Sequence, residues 1–309
     1  MSINNECQRR VSTTSCLEGQ RGVRYAGLGI IRLARQAEGR YHMKRRQFLT
    51  SAAAASIAAV GASSDYLRAA PEPDAKGREF YQLRRYQLAR GPQTKLADDY
   101  FRDALIPALN RMGIRPVGVF NISVGPDTPG VYVLIPSSSA ETLSGIETRL
   151  WQDAEYVKSG GDFLKAPAKE PGFHVVETSL LQAFENMPKI KVPAGTAQNK
   201  PRLFELRTYK SPTDEFHRTK VEMFNSAEIA LQAKLDMGAV FYGDTVAGPR
   251  MPNLTYMLSF DNLADREKKF QAFNDSAGWK ALLGDPKYPW EIVATVSNFI
   301  LAPTAYSQI

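Results

Sequence analysis

Cysteine is nearly absent from this chain, and the two cysteines that occur lie near its start. Cys7 and Cys16 both precede Met43. From Met43 onward the chain therefore has no cysteine that could form a disulfide, act as a thiolate nucleophile or ligate a metal. This composition suits the cytoplasm and the periplasm equally.

Histidine is almost as rare, and the familiar cofactor motifs are missing. Beyond Met43 only His174 and His217 remain. With two imidazoles, a multi-histidine metal site within one chain is not expected, although carboxylates could still bind a hard cation, and we predict no metal. The sequence has no glycine-rich phosphate loop, no Gly-x-Ser-x-Gly elbow and no His-Glu-x-x-His pair, so we predict no cofactor.

The net charge of +7 suggests a nucleic-acid partner, but its location argues against one. Residues 1–42 carry seven Arg against three Glu, and Lys44, Arg45 and Arg46 add three positive charges. From residue 47 onward, 29 basic side chains balance 29 acidic ones. This part of the chain has no general basic excess that could neutralise phosphates, so no nucleic-acid partner is predicted.

A charged start followed by an apolar run begins at Met43. The pair Arg45-Arg46 resembles the twin-arginine signal motif. The uncharged, Ala-rich run over 48–62 is shorter than the roughly 20 residues of a membrane helix and fits a secretory signal. We predict a signal peptide over 43–70, export to the periplasm or secretion by the twin-arginine route, and membrane contact only before cleavage. The alternative is an uncleaved amphipathic or buried helix.

Residues 1–42 precede this predicted signal, although a signal peptide normally begins a chain. The segment is rich in Arg and has no clear helical or strand periodicity. We interpret it as a non-native extension, with Met43 as the true initiator. A long n-region of the signal is the alternative.

The rest of the chain contains an internal repeat. Phe80-Tyr-Gln-Leu-Arg-Arg-Tyr86 matches Leu203-Phe-Glu-Leu-Arg-Thr-Tyr209 at an offset of 123. Further matches follow in the same order: Met112-Gly113 with Met237-Gly238, Val119-Phe120 with Val240-Phe241, Gly125-Pro126 with Gly248-Pro249, and Tyr132 with Tyr256. Ordered matches at similar offsets indicate a duplication.

Each copy shows the same order of predicted elements, namely strand, helix, a two-stranded hairpin, a second helix and a last strand. This βαββαβ order is that of a ferredoxin-like module. We place module 1 at 78–186, a linker rich in Pro, Lys and small residues at 187–201, and module 2 at 202–303. The fold class predicted is α+β with two tandem modules.

Several segments of module 2 resemble the NIPSNAP family. They are Glu205-Leu-Arg-Thr-Tyr209, Gly238 with Val240-Phe-Tyr-Gly243, Asn253-Leu-Thr-Tyr-Met-Leu258, Asp261 with Arg266, and Trp279-Lys280. The resemblance is strong over 202–301 and weaker over 80–184. NIPSNAP proteins resemble dimeric α/β-barrel proteins, so it implies that the two sheets pack face to face as a barrel within one chain. It implies no agreed reaction and no agreed catalytic residues.

Strand alternation divides the repeated motif into two faces. We predict that Tyr81, Leu83, Phe204 and Leu206 pack under the helices. The opposite face is then predicted to line the barrel, and its members are Gln82, Arg84, Tyr86, Glu205, Arg207 and Tyr209. Two interpretations stay open for this polar face. It is either a buried salt-bridge network that fixes sheet registry, or a pocket whose Arg pair recognises a carboxylate or other planar anion.

The first helix of module 2 supplies one candidate catalytic group. Glu228 lies on an otherwise apolar stripe, where desolvation favours its neutral form and suits a general acid or base. The alternative is a carboxylate at the edge of the stripe that bonds a backbone group or an Arg. His217, near the helix start, is expected to be exposed, and His174 to be structural. Among the aromatic residues, Tyr242 is a candidate wall for a flat apolar ligand.

Three functions compete on these observations. The first is an exported protein that binds a small organic ligand or a partner. The second is a cofactor-independent oxygenase or isomerase, by analogy with other proteins of the same fold. The third is a purely structural periplasmic role. Exposed sheet edges are also expected to allow two chains to pair as a homodimer.

Overall fold

The structure is a computed structural model and describes residues 77–309. The predicted signal peptide at 43–70, with Arg45 and Arg46, and the segment 1–42 lie outside the described residues. Within the described part, no helix combines the length and apolar character needed to cross a membrane.

Eight strands, four in each module, form the framework. They are β1 (Phe80–Gln87), β2 (Gly118–Val124), β3 (Gly130–Ser137), β4 (Val175–Ala183), β5 (Leu203–Lys210), β6 (Ala239–Ala247), β7 (Asn253–Phe260) and β8 (Thr295–Pro303). All pair in antiparallel fashion and close into a barrel in the order β1-β3-β2-β8-β5-β7-β6-β4. The predicted fold class is confirmed. The modules join twice, where β2 pairs with β8 and where β4 pairs with β6.

This closure changes the expectation for a homodimer. A lone ferredoxin-like sheet has two free edges, whereas each of these eight strands has a neighbour on both sides. The edges expected to pair two chains are therefore used to join the two modules. Homodimerisation stays a prediction, without the sheet edges as its basis.

The helices pack on the outside of the barrel. In module 1 they are α1 (Pro92–Tyr100), a π-helical turn (Phe101–Leu105), α2 (Ile106–Arg111), α3 (Ala140–Ser144), α4 (Ile146–Gln152), α5 (Ala154–Ser159) and α6 (Gly161–Leu164). In module 2 they are α7 (Asp214–Met223), a second π-helical turn (Phe224–Glu228), α8 (Ile229–Lys234), α9 (Leu263–Asp275), α10 (Ala277–Leu283) and a 3-10 turn (Trp290–Ile292).

The second helix predicted for each module is broken by internal caps. The Asp153 carboxylate accepts a bond from the Tyr156 amide and starts α5, and the Ser276 hydroxyl accepts one from the Trp279 amide and starts α10. Such side chains satisfy the free amides of a new first turn. What we predicted as one helix is therefore a series of short ones.

The pairing registers of the first three strands repeat at a constant offset of 123 residues. Phe80 pairs with Ser137, and Leu203, which follows Phe80 by 123 residues, pairs with Phe260. The hairpins agree, since Asn121 pairs with Val131 as Asp244 pairs with Leu254. The two π-helical turns are also separated by 123 residues. Positions in the first three strands and around the π-helical turn can therefore be compared with those 123 residues later, whereas the last strands, β4 and β8, correspond at an offset of 120.

The predicted assignment of the two strand faces is wrong. Tyr81, Leu83, Phe204 and Leu206 lie inside the barrel, in one cluster with residues of both modules. Ring centroids lie 5.1 Å apart for Tyr81 and Phe241 and 4.8 Å apart for Phe120 and Phe204, so the interior is packed with side chains that meet across the modules.

The opposite face meets the helices and is not inside the barrel. Arg84 bonds Glu147 of α4, and Glu205 bonds Arg266 of α9. Alternation separates the two faces but does not say which one turns inward. A buried guanidinium or carboxylate needs a partner, and here the helices supply charged side chains.

Candidate functional site

The candidate site is the layer between the outer face of the module 2 sheet and the helices α7 to α10. Its floor is formed by two adjacent rungs of the sheet, where a rung is a row of residues paired across the neighbouring strands β5, β7 and β6. The first holds Tyr209, Leu254 and Asp244, and the second holds Arg207, Tyr256 and Tyr242. Five of the predicted site residues therefore lie in this layer: Glu205, Arg207, Tyr209, Tyr242 and Glu228. Whether they bind or react with a ligand stays a prediction.

A buried ion pair spans the second π-helical turn. The Nζ atom of Lys220 lies 2.8 Å from Oε2 of Glu228, and their side chains are only 4% and 2% exposed. In a regular helix these positions, eight residues apart, are rotated by about 80° around the axis. The residue inserted at a π-helical turn reduces this rotation and brings Glu228 closer to the face of Lys220. The turn thus favours the pair.

The pair continues into a chain of hydrogen bonds. Gln232 donates from Nε2 to Oε1 of Glu228 over 3.1 Å, and the hydroxyl of Tyr242 donates to Oε1 of Gln232 over 2.7 Å. Burial, together with the nearby Glu228 carboxylate, raises the pKa of Tyr242. Glu228 is therefore at the centre of the helix face rather than at its edge, and both of its oxygens are occupied.

Aromatic rings surround the ammonium group of Lys220. Its Nζ lies 4.8 Å from the ring centroid of Phe224, 5.6 Å from that of Tyr209 and 5.7 Å from that of Trp279. Only two of its three hydrogens have described acceptors, Glu228 and the weak acceptor Sδ of Met223. One hydrogen of Lys220 therefore has no described acceptor, and the ammonium group lies among aromatic rings.

The ring of Trp279 is carried by α10, a helix with no buried residue. This ring packs on Phe273 at 4.7 Å and remains partly exposed. Within the described residues, α10 therefore contributes to this layer chiefly through the partly buried ring of Trp279.

Arg207 belongs to a second network, in which each of its three nitrogens donates a hydrogen bond. Its Nη1 donates to Glu205 Oε1 over 2.6 Å, and its Nε and Nη2 both donate to the hydroxyl of Tyr209. Arg266 donates two hydrogen bonds, of 2.7 and 2.9 Å, to the same carboxylate. Glu205 is fully buried. These contacts favour the salt-bridge interpretation for Glu205 and Arg207, because both side chains are already bonded to partners within the module.

The expectation that His217 is exposed is wrong. The residue is only 9% exposed, and its Nε2 lies 2.6 Å from Oδ1 of Asp244 on β6. Its other nitrogen, Nδ1, is buried and has no hydrogen-bond partner among residues 77–309. The helix turns His217 toward the sheet because it shares the buried face of α7 with Lys220 and Met223.

Arg84 and Tyr86 are the predicted site residues that lie apart, in the corresponding layer of module 1. Arg84 donates to Gln82 over 2.7 Å and pairs with Glu147 at 2.7 Å, while its Nη2 is buried without a partner in the described chain. Tyr86 packs against Phe101 at 5.0 Å. Arg84 and Arg207 thus do not form a joint pair between the sheets.

Module 1 lacks the ionic groups of module 2 at the equivalent positions. Ala97 and Leu105 stand where module 2 has Lys220 and Glu228, and both are fully buried. Thr94 and Asn121 stand where module 2 has His217 and Asp244. They line a cavity of about 160 Å³ that is also lined by Asp98 and Tyr306. The same backbone therefore packs an apolar pair at one place and leaves a space at the other.

Sequence reasoning missed Lys220, Gln232, Tyr256, Arg266 and the His217–Asp244 pair as members of this layer. Helical spacing from Glu228 would have pointed to Gln232, four residues on. Lys220 gave no such signal, because the π-helical turn brings it closer to the same face than regular helical spacing does. Within the described residues, no cluster of three or more metal-ligating side chains occurs.

Solved structures with similar folds include three bacterial proteins. One from Lactobacillus acidophilus, described as a "putative monooxygenase", is 8% identical with a TM-score of 0.48, over 73% of this chain and 94% of that chain. A NIPSNAP family protein from Agrobacterium tumefaciens is 19% identical with a TM-score of 0.32, over 35% and 94%. A NIPSNAP-like domain protein from Burkholderia xenovorans is 19% identical with a TM-score of 0.32, over 35% and 90%.

No curated protein matches the chain in sequence. The profile of one family, described as NIPSNAP, matches residues 81–163 and 204–308, which together make up more than half of the chain. The two matched segments fall in the two modules seen in the structure. The chain therefore belongs to the NIPSNAP family.

Proposed function

We propose that module 2 binds a small, flat organic carbonyl compound between its sheet and its helices, and that module 1 does not. The observation that carries this proposal is the buried Lys220–Glu228 pair at positions where module 1 has Ala97 and Leu105. A buried ion pair adds little net stability, because desolvating two charges offsets their attraction. Since module 1 packs the same place with apolar groups, the fold does not require the pair.

The surroundings of Lys220 suggest the class of ligand. Its pairing with Glu228 leaves the site neutral overall, so a ligand needs no net charge of its own. One ammonium hydrogen can bond a carbonyl oxygen, and the rings of Phe224, Tyr209 and Trp279 can pack against a flat ring system. This combination favours a planar ketone or similar compound over a phosphate or a sugar.

The binding test uses 2-tetralone as the probe, with tetralin, which lacks the carbonyl, as its matched control. In the full chain carrying W151F and W290F, which remove two exposed tryptophans, fluorescence of Trp279 reports on the site. We expect saturable quenching by 2-tetralone and much weaker binding of tetralin. The variant K220A/E228L, which installs the module 1 residues, should lose the difference between the two compounds. Equal binding of both by the unmodified site would contradict the proposal.

We also propose that the chain is exported by the twin-arginine route. The support is Arg45-Arg46 ahead of an uncharged, Ala-rich run. Mass spectrometry of the protein recovered from a periplasmic extract should give an N-terminus between residues 60 and 77. An intact N-terminus before Met43, or recovery only from the cytoplasm, would contradict export.

A further inference from the structure

The His217–Asp244 pair has the arrangement of an acid–base couple. A carboxylate can only accept a hydrogen bond, so Nε2 of His217 carries the hydrogen in its 2.6 Å contact with Asp244. The lone pair of a neutral ring is then at Nδ1, which is buried without a partner among the described residues. A carboxylate that orients an imidazole in this way also stabilises the imidazolium once the free nitrogen takes up a proton.

The comparison with module 1 argues against a purely structural role for this pair. At the equivalent positions Thr94 and Asn121 line a cavity of about 160 Å³. Both side chains reach solvent, so the fold accepts smaller polar groups at this place. A buried nitrogen without a partner costs free energy, so its presence in module 2 also calls for an explanation.

The pair lies beside the proposed binding site. His217 precedes Lys220 by three residues on the buried face of α7, a spacing that places two side chains about 5–6 Å apart at their Cβ atoms. Asp244 lies in the same sheet rung as Tyr209, whose ring contacts the Lys220 ammonium. A role for this imidazole requires that a ligand held at Lys220 extends to its Nδ1 atom.

Resting on the proposed function, we infer that His217 accepts a proton from the carbon next to the carbonyl group of the bound compound. The C–H bond breaks, its proton passes to Nδ1, and its electron pair forms a C=C bond while the carbonyl oxygen becomes an enolate. Lys220 stabilises that oxygen through its remaining hydrogen, and Asp244 stabilises the imidazolium. Return of the proton to the same carbon gives exchange, and return to another carbon gives isomerisation, so no oxidant is needed.

The activity test follows exchange of the C1 hydrogens of 2-tetralone for deuterium, by proton NMR with the full chain. We expect exchange above the buffer rate, and a loss of about a hundredfold in the enzymatic rate for H217T/D244N, which carries the module 1 residues. H174Q, which removes an exposed histidine, is the control and should exchange at the wild-type rate. Binding by H217T/D244N, read from Trp279 fluorescence, should persist.

Two results separate the inference from the proposed function. Binding of 2-tetralone with exchange at the buffer rate, or exchange insensitive to H217T/D244N, overturns the role of His217 and leaves the binding proposal intact. Absence of binding overturns both. A ligand-free test is the nitrogen-15 NMR spectrum of the imidazoles at pH 8, where we expect hydrogen on Nε2 of His217 and none on Nδ1. A hydrogen on Nδ1 at that pH overturns the inference.

Discussion

Lys220→Ala is expected to lower the free energy of unfolding by about 3–5 kcal/mol, because it leaves the Glu228 carboxylate buried without its counter-ion. The double variant K220A/E228L should recover most or all of that loss. It removes both charges together and installs residues that module 1 already packs at the equivalent positions, Ala97 and Leu105. Urea unfolding of the full chain measures both changes, provided that the dependence on denaturant stays constant.

The control for this pair is an ion pair on the surface. Lys287 lies 2.7 Å from Glu222, and their side chains are 57% and 44% exposed. Lys287→Ala should therefore cost less than about 1 kcal/mol. If K220A/E228L were as unstable as K220A, the pair would be essential to packing. The argument that it is retained for binding would then fail.

Glu205→Ala should destabilise the protein by a similar amount, about 3–5 kcal/mol. Here the charge left without its counter-ion is positive, whereas in Lys220→Ala it is negative. The substitution leaves the guanidinium groups of Arg207 and Arg266, which both bond this carboxylate, facing each other without a negative charge. Glu205→Gln should be intermediate, because it keeps the shape and one acceptor but removes the charge. Thermal and urea unfolding report the effect.

The matched substitution in module 1 is Glu147→Ala. Glu147 pairs with Arg84 at 2.7 Å, but its side chain is 56% exposed. Because water can take the place of this exposed carboxylate beside the buried Arg84, its loss should cost less than the loss of the fully buried Glu205. We expect Glu205→Ala to leave 2-tetralone binding by the surviving folded protein nearly unchanged. A selective loss of binding without a loss of stability would assign Glu205 and Arg207 to the ligand instead of to the scaffold.

Much of the fold could be predicted from the sequence because duplication leaves ordered matches. Phe80 to Tyr86 and Leu203 to Tyr209 indicated both modules and their first strands, and these form β1 and β5 within one residue of the predicted bounds. The barrel followed from the family resemblance. The ends of the later helices did not follow, since local caps such as Ser276 decide them.

The candidate site was only partly predictable. Alternation placed Glu205, Arg207 and Tyr209 on one face, but it could not say that this face meets helices rather than the barrel interior. Glu228 stood out as a carboxylate on an apolar stripe. Its partner Lys220 did not, because a regular helical pattern does not contain the residue inserted at a π-helical turn. His217 was assigned to solvent from its place near the helix start, and Asp244 gave no signal.

The two modules carry different buried side chains on one shared backbone. Module 1 keeps Arg84 and Tyr86 but has Gln82, Thr94, Ala97 and Leu105 where module 2 has ionisable groups. Charges at matched buried positions in only one copy are hard to explain by stability. We interpret module 1 as the partner that completes the barrel and module 2 as the copy that holds the ligand.

Isothermal titration calorimetry of 2-tetralone into the full chain tests this asymmetry most directly, because it counts sites. Our account predicts one molecule of 2-tetralone per chain for the wild-type protein. It predicts no measurable heat of binding for K220A/E228L, although that variant stays folded. Two molecules per chain, or unchanged binding by K220A/E228L, would contradict the claim that module 2 alone binds the ligand through this pair.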